Sequence, residues 1–285
     1  MSFAETVLLG ALAGFTIYLS LPFGRLQTAG KRFHVALAMF AVGVLAFLLV
    51  DIFEHALETL EHYVEDFAAG EKGLAEPLTL VVLLGAGFAA GTAGLATLER
   101  WMRPSPPPPP IAGGAVDALT VDEAERLAGE SDGHRRRALQ LGMTIAAAIG
   151  LHNFAEGLAI GVSASTGEIA LATVLIIGFA LHNATEGFGI VGPLGSVRPS
   201  WGWLGLAGLI GGGPVFLGAM VGYNVTSEPL EIAFYGLSGG AILYVIGEVW
   251  NGMRRYGHRE LGLWMLSAGF VVGIATDLVV VYGGL

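Results

Sequence analysis

Two stretches of this chain repeat one order of polar residues inside apolar sequence. Leu151, His152, Asn153, Phe154, Ala155, Glu156, Gly157 is followed thirty residues later by Leu181, His182, Asn183, Ala184, Thr185, Glu186, Gly187. Imidazole, carboxylate and amide oxygen are the nitrogen and oxygen donors that suit a divalent transition metal. On a helix, His and Glu at i and i+4 stack on one face. Asn lies about 100° round and still reaches the same Glu at i+3. Two such helices face to face would set His152, Asn153 and Glu156 opposite His182, Asn183 and Glu186, around one ion or two ions bridged by carboxylates. Two glutamates buried as anions without a partner would cost far more than they return, so a cation is their natural companion.

The elements that must carry these residues are membrane helices. The 285 residues are 54% hydrophobic and 13% charged, with a mean hydropathy of +0.67, which does not describe a water-soluble protein. Windows long enough to cross about 30 Å of hydrocarbon fall at 4–22, 35–57, 78–98, 139–163, 168–191, 202–223, 230–250 and 262–283. The expected fold is an all-α membrane protein with eight transmembrane helices in a single domain, 1–285. Small residues spaced by four recur at Gly10/Gly14, Gly87/Gly91, Gly157/Gly161, Gly218/Gly222 and Gly236/Gly240, the pattern that lets helices approach closely in lipid. No cysteine is present, which excludes disulfides and thiolate metal sites. A net charge of -10 without a basic stripe excludes nucleic acid as a partner; the partners implied are metal ions and the lipid bilayer.

Lysine and arginine orient the helices. Thirteen of the fourteen fall after the first, third, fifth and seventh windows, and Lys72 alone falls on the other side. The rule that cytoplasmic loops are basic then sets both termini outside the cytoplasm. The outer loop 58–77 carries six acidic residues and should attract cations. The inner stretch 99–138, with Pro106 to Pro110, reads as a Pro-rich cytoplasmic connector that Arg135 to Arg137 anchor at the interface. The first window lacks a basic leader and a cleavage site, so it reads as a retained helix in an inner (plasma) membrane.

With these directions His152 and His182 both fall near mid-membrane, each about 20 Å along its helix. Asp51, Glu54 and His55 share one face in the outer third of the second helix and mark a candidate entrance. Asp277 falls in the outer half of the eighth helix, where it belongs either to the path or to helix packing. Glu248, near the inner end of the seventh, marks a candidate exit, with pairing to Arg254 or Arg255 as the alternative.

At these residues the sequence resembles the ZIP (Zrt/Irt-like) family of divalent metal transporters, prokaryotic type, whose fourth and fifth helices carry HNxPEG-type motifs. The resemblance implies a 3+2+3 bundle with an inverted repeat, in which one helix group moves against the other to give alternating access. It also implies that the six motif residues line a transport site for Zn²⁺ above all, and for Fe²⁺, Mn²⁺ and Cd²⁺, directed into the cytoplasm. The metal is then the transported substrate and no organic cofactor is expected. Three departures stand out. Ala155 and Thr185 replace the family's proline, which should leave both helices straight. Gly213 precedes Pro214 where many members have a second-site glutamate, and Asn183 stands where some have aspartate, so one ion is the preferred count. The inner loop offers only His134 in place of a histidine-rich tract.

An intramembrane metal-dependent hydrolase would also bury His and carboxylates, but it needs a positioned base and an open metal position, and neither HExxH nor GxSxG occurs. A non-conducting metal sensor is the other alternative, without a large soluble effector domain to support it. The chain is therefore read as a transporter and not an enzyme. Oligomeric state stays open, a homodimer being one option.

Overall fold

Where water is scarce, long apolar runs can satisfy their backbone hydrogen bonds only within themselves, which makes them helices. The computed structural model describes residues 1–26, 30–102, 121–165, 167, 169–224, 227–254 and 256–283, and among these there are helices and turns but no strand. The first span is α1 (Phe3–Phe15), prolonged by 3-10 turns at Thr16–Leu19 and Leu21–Arg25. It starts on a reciprocal cap: the Ser2 N–H donates to Glu5 Oε2 at 2.8 Å and the Glu5 N–H donates to Ser2 Oγ at 3.3 Å. Then follow α2 (Lys31–Ala68) and α3 (Ala75–Ala89), which passes through a π-turn at Ala90–Gly94 into α4 (Leu95–Met102) as one span. The remaining helices are α5 (Val121–Ser165), α6 (Ile169–Val191), α7 (Trp201–Asn224), α8 (Glu228–Arg254) and α9 (Arg259–Gly283).

Seven of these spans are long and apolar enough to cross a membrane. The eighth is α6, with 23 residues and Glu186 as its one charged side chain; at 1.5 Å per residue it covers about 35 Å. The α2 helix runs further than its apolar window. Glu58, Glu61, Glu65 and Asp66, expected in a loop, lie on its last three turns, because 58–68 holds no glycine or proline and keeps Leu60, Tyr63, Val64 and Phe67 at helical spacing. The connector expected over 99–138 overlaps the end of α4 and the start of α5, and Pro106 to Pro110 lie outside the described residues.

Packing sorts the helices into two groups that chain order does not suggest. One contains α1, α5, α6 and α7, with α5 against α7 as its largest interface; the other contains α2, α3, α8 and α9, joined through α2/α9, α3/α8 and α2/α8. The pattern is twofold. Exchanging α1 with α7, α2 with α8, α3 with α9 and α5 with α6 turns α2/α9 into α8/α3, α5/α8 into α6/α2, and α5/α7 into α6/α1, all of them observed interfaces. With α3 and α4 counted as one, the exchanged spans are separated by an odd number of crossings and run in opposite directions. These interfaces follow the inverted repeat, with the α5/α6 pair on its axis, while α6/α9 and α2/α3 depart from it.

In lipid the helices gain little from hiding apolar side chains, so contact distance decides. Within each group, glycines bring backbones together. A Cβ at Gly157 would collide with the Val215 carbonyl of α7, and one at Gly218 with the Phe154 carbonyl of α5. Gly14 and Gly212 meet in the same way between α1 and α7. Gly87 and Gly91 lie on the Ala233 and Leu237 carbonyls of α8, with Gly236 and Gly240 returning the contact; Gly43 and Gly269 do so between α2 and α9. Large side chains such as Leu12, Val82, Trp264 and Val271 stand exposed around the perimeter, as a lipid-facing surface requires.

Candidate functional site

The α5 and α6 helices run unbroken through both motifs, as expected of Ala155 and Thr185 in place of proline. They join through a turn at Gly167, whose φ of +87° suits glycine. None of the six motif side chains is more than 5% exposed. The Asn153 amide nitrogen donates to Glu186 Oε2 at 3.1 Å, to the Gly211 carbonyl of α7 at 2.9 Å, and to Asn183 Oδ1. Asn183 in turn donates to Glu156 Oε2 at 3.3 Å and to the Phe179 carbonyl at 2.8 Å. Each asparagine therefore holds one oxygen of the glutamate on the opposite helix.

The other atoms of the motifs are left bare. Among the described residues, the buried side-chain nitrogens and oxygens without a hydrogen bond are Arg25 Nε and five motif atoms: His152 Nε2, Asn153 Oδ1, Glu156 Oε1, His182 Nδ1 and Glu186 Oε1. An orphaned buried polar atom costs about 1–3 kcal/mol, and every one of these five can offer a lone pair. His152 Nε2 lies 3.2 Å from Glu156 Oε1 and 3.7 Å from Glu186 Oε1. Donors around one zinc, with bonds of about 2.0–2.2 Å in tetrahedral array, stand about 3.4 Å apart. As arranged, no three His, Asp or Glu side chains among the described residues form a finished coordination group. The His182 ring is turned elsewhere: its Nε2 bonds to Thr276 on α9 and the ring packs against Phe47 of α2. Five of the six predicted residues thus form one connected cluster, and His182 stands beside it.

Comparison with known proteins accords with the motifs. The family model described as "ZIP Zinc transporter" matches residues 112–246, which span both of them. The zinc transporter ZupT of Clostridium perfringens is 27% identical over 284 residues, covering 95% of this chain and 93% of the relative. The chain is thus similar to ZIP transporters across both motifs.

The remaining predicted residues separate. Asp51 lies one helical turn beyond Phe47 on α2 and is close enough to feel the charges of His55, Asp277 and His152. Asp277 of α9 feels His55 and Glu54. Asp51, Glu54 and His55 on α2 and Asp277 on α9 thus stand on two helices that pack together. His55 Nδ1 bonds back to the Asp51 carbonyl at 2.9 Å. Glu54, Glu58 and Glu61 line a cleft of about 640 Å³ between α2, α3 and α8. Glu248 is half-buried on α8, between the motif and Arg254. At Gly213 of α7 a Cβ would meet only Leu209 Cδ1, at 3.5 Å.

The sequence left three partners of the cluster unnoticed. The Gly211 carbonyl was hidden in a run of three glycines before Pro214. Ser238 accepts or donates to His152 Nδ1 at 2.9 Å, and Thr276 meets His182. Hydroxyls inside apolar helices, one flanked by Gly236, Gly239 and Gly240 and the other adjoining Asp277, were the available signal.

At the acidic end a clasp joins α2 to α8. Tyr63 donates its hydroxyl to Glu228 in the first turn of α8, and Lys72 lies 3.5 Å from the Tyr63 ring centroid while pairing with Asp66 at 2.8 Å. The hydrogen bond to Asp66 raises the Lys72 pKa above the ordinary lysine value. The ammonium is therefore charged at neutral pH, and on the alkaline side this pairing is lost as pH rises through that raised pKa.

Proposed function

We propose that this chain carries divalent transition-metal ions through the membrane, Zn²⁺ foremost and Fe²⁺, Mn²⁺ and Cd²⁺ with it. The observation that carries the reading is the set of five bare lone-pair atoms, all from the duplicated motif, buried where the two inverted halves meet. The family description and the printed name of the relative, a zinc transporter, support the choice of zinc.

In this reading an ion arriving along Asp51, Glu54, His55 and Asp277 exchanges its water for His152 Nε2 and one oxygen each of Glu156 and Glu186. The Asn153 and Asn183 amides hold the second carboxylate oxygens, so the glutamates are oriented before the ion arrives. Asn153 Oδ1 and His182 Nδ1 are the further lone pairs within the motifs. The cluster accepts one ion at a time, because Gly213 brings no third carboxylate. Protonation of imidazole or carboxylate competes with the ion and aids release, past Glu248 on the exit side. Access alternates as the group of α1, α5, α6 and α7 moves against the group of α2, α3, α8 and α9. Basic loops orient the chain with both termini outside the cytoplasm of an inner (plasma) membrane, and transport runs inward.

The test is uptake of radioactive zinc into proteoliposomes by the native chain, His152→Ala and Glu186→Ala, with a leakage control. Saturable uptake lost in both variants supports the path through the motifs. Stoichiometric binding without uptake favours a sensor or a hydrolase, and absence of binding removes the metal site.

A further inference from the structure

Each motif histidine receives a hydroxyl from a helix of the opposite packing group, and the two hydroxyls differ in what they can do. Thr276 Oγ1 donates its single hydrogen to the Gly273 carbonyl at 2.8 Å. Toward His182 it can therefore act only as acceptor, which requires the hydrogen on Nε2 and leaves Nδ1 as the ring's lone pair. Ser238, wholly buried on α8, meets His152 at Nδ1. Nε2 of that ring is the atom turned to Glu156 and Glu186. A neutral imidazole binds a metal through one nitrogen only when its hydrogen sits on the other, and the group bonded to that N–H decides which nitrogen it is.

We infer that Ser238 is a positioning residue for the transported ion: by accepting a hydrogen bond from His152 Nδ1–H it makes Nε2 the ligating nitrogen, while Thr276 fixes His182 in the opposite tautomer. The inference rests on the metal-transport reading above. The twofold relation of the helices makes the asymmetry specific. The counterpart of α8 is α2, and toward His182 α2 presents the ring of Phe47 rather than a hydroxyl. His152 alone is therefore aimed at both carboxylates, and the helix that aims it belongs to the group that does not carry the site. A shift of one group against the other breaks the Ser238 contact, so the orientation of the ligand is coupled to the position of the two groups.

The experiment uses the full chain in lipid nanodiscs with Co²⁺ as the probe ion. Its visible spectrum reports the donor set, and ¹⁵N spectra of histidine-labelled protein report the tautomers, with His152→Gln assigning the His152 signals. Native protein should bind Co²⁺ with His152 in the Nδ1–H form. Ser238→Ala should keep the stoichiometry, lose roughly ten- to hundredfold in affinity, and lose the single His152 tautomer, while the His182 signals stay in the Nε2–H form. Native affinity and an unchanged His152 tautomer in Ser238→Ala overturn the role of Ser238 and leave the transport reading standing. An Nε2–H form of His152 in ion-bound native protein overturns it without any variant. A native chain that binds no Co²⁺ overturns the transport reading and this inference together.

Discussion

Replacing Asn153 by alanine should separate holding the glutamates from holding the ion. The amide nitrogen carries two hydrogens, spread over Glu186 Oε2, the Gly211 carbonyl and Asn183 Oδ1, at a position with no exposure to solvent. At a net 0.5–1.5 kcal/mol per hydrogen bond, losing both costs about 1–3 kcal/mol of stability. The functional effect is larger in proportion. Glu186 loses the donor that fixes its second oxygen, and loss of such an outer partner typically weakens metal binding by about 10–100-fold. Zinc uptake into proteoliposomes, measured over a concentration series, should therefore show a KM raised by about that factor with a smaller change in maximal rate. Asn153→Asp, which keeps the oxygen but supplies no N–H, should fail to restore the KM. An Asn153→Ala protein with native KM and native thermal stability would refute the view that the asparagines pre-orient the carboxylates.

Four further outcomes follow from the same geometry. Gly157→Ala sets a methyl on the Val215 carbonyl, and this overpacking should lower stability by about 1–3 kcal/mol in a thermal or denaturant titration; an unchanged midpoint would count against the seam. Zinc uptake should fall as external pH is lowered, because ligands bind metal only when deprotonated and protons then compete for His152, Glu156 and Glu186; a rise on acidification would contradict this. Asp51→Asn removes a carboxylate from the candidate entrance on α2, and should raise the KM for zinc with a smaller change in Co²⁺ affinity at the motif. Tyr63→Phe breaks the tie to Glu228 and should speed amide exchange in the first turn of α8, with a stability change below about 1 kcal/mol.

Much of this was legible in the sequence because the bilayer imposes strict periodicities. The spans were readable from run length. The antiparallel meeting of His152, Asn153, Glu156, Asn183 and Glu186 needed only a 3.6-residue repeat. What escaped was set by partners distant in sequence. That His182 turns to Thr276 depends on α6 packing against α9, which no local pattern encodes. Ser238 looks like any small residue in a glycine-rich helix until α8 is laid on α5. The α2 extension was missed because charge was read as loop, although acidic residues at helical spacing continue a helix as readily as they end one. The sorting into two packing groups was invisible for a related reason: neighbours in space here are seldom neighbours in the chain.

The glycine seams have a mechanical consequence. All the glycine-to-carbonyl contacts that join helices among the described residues lie inside one group or the other: α1/α7, α5/α7 and the turn at Ile17 against Gly187 in the first, α2/α9 and α3/α8 in the second. Backbone locked on backbone cannot slide without breaking many contacts at once, so each group behaves as a stiff body. Between the groups no glycine meets a carbonyl among the described residues; Gly192 lies against the Ala38 backbone of α2, and the histidines meet their hydroxyl partners through side chains, which change rotamer at far lower cost. The softer contacts of the molecule thus pass through the buried donors.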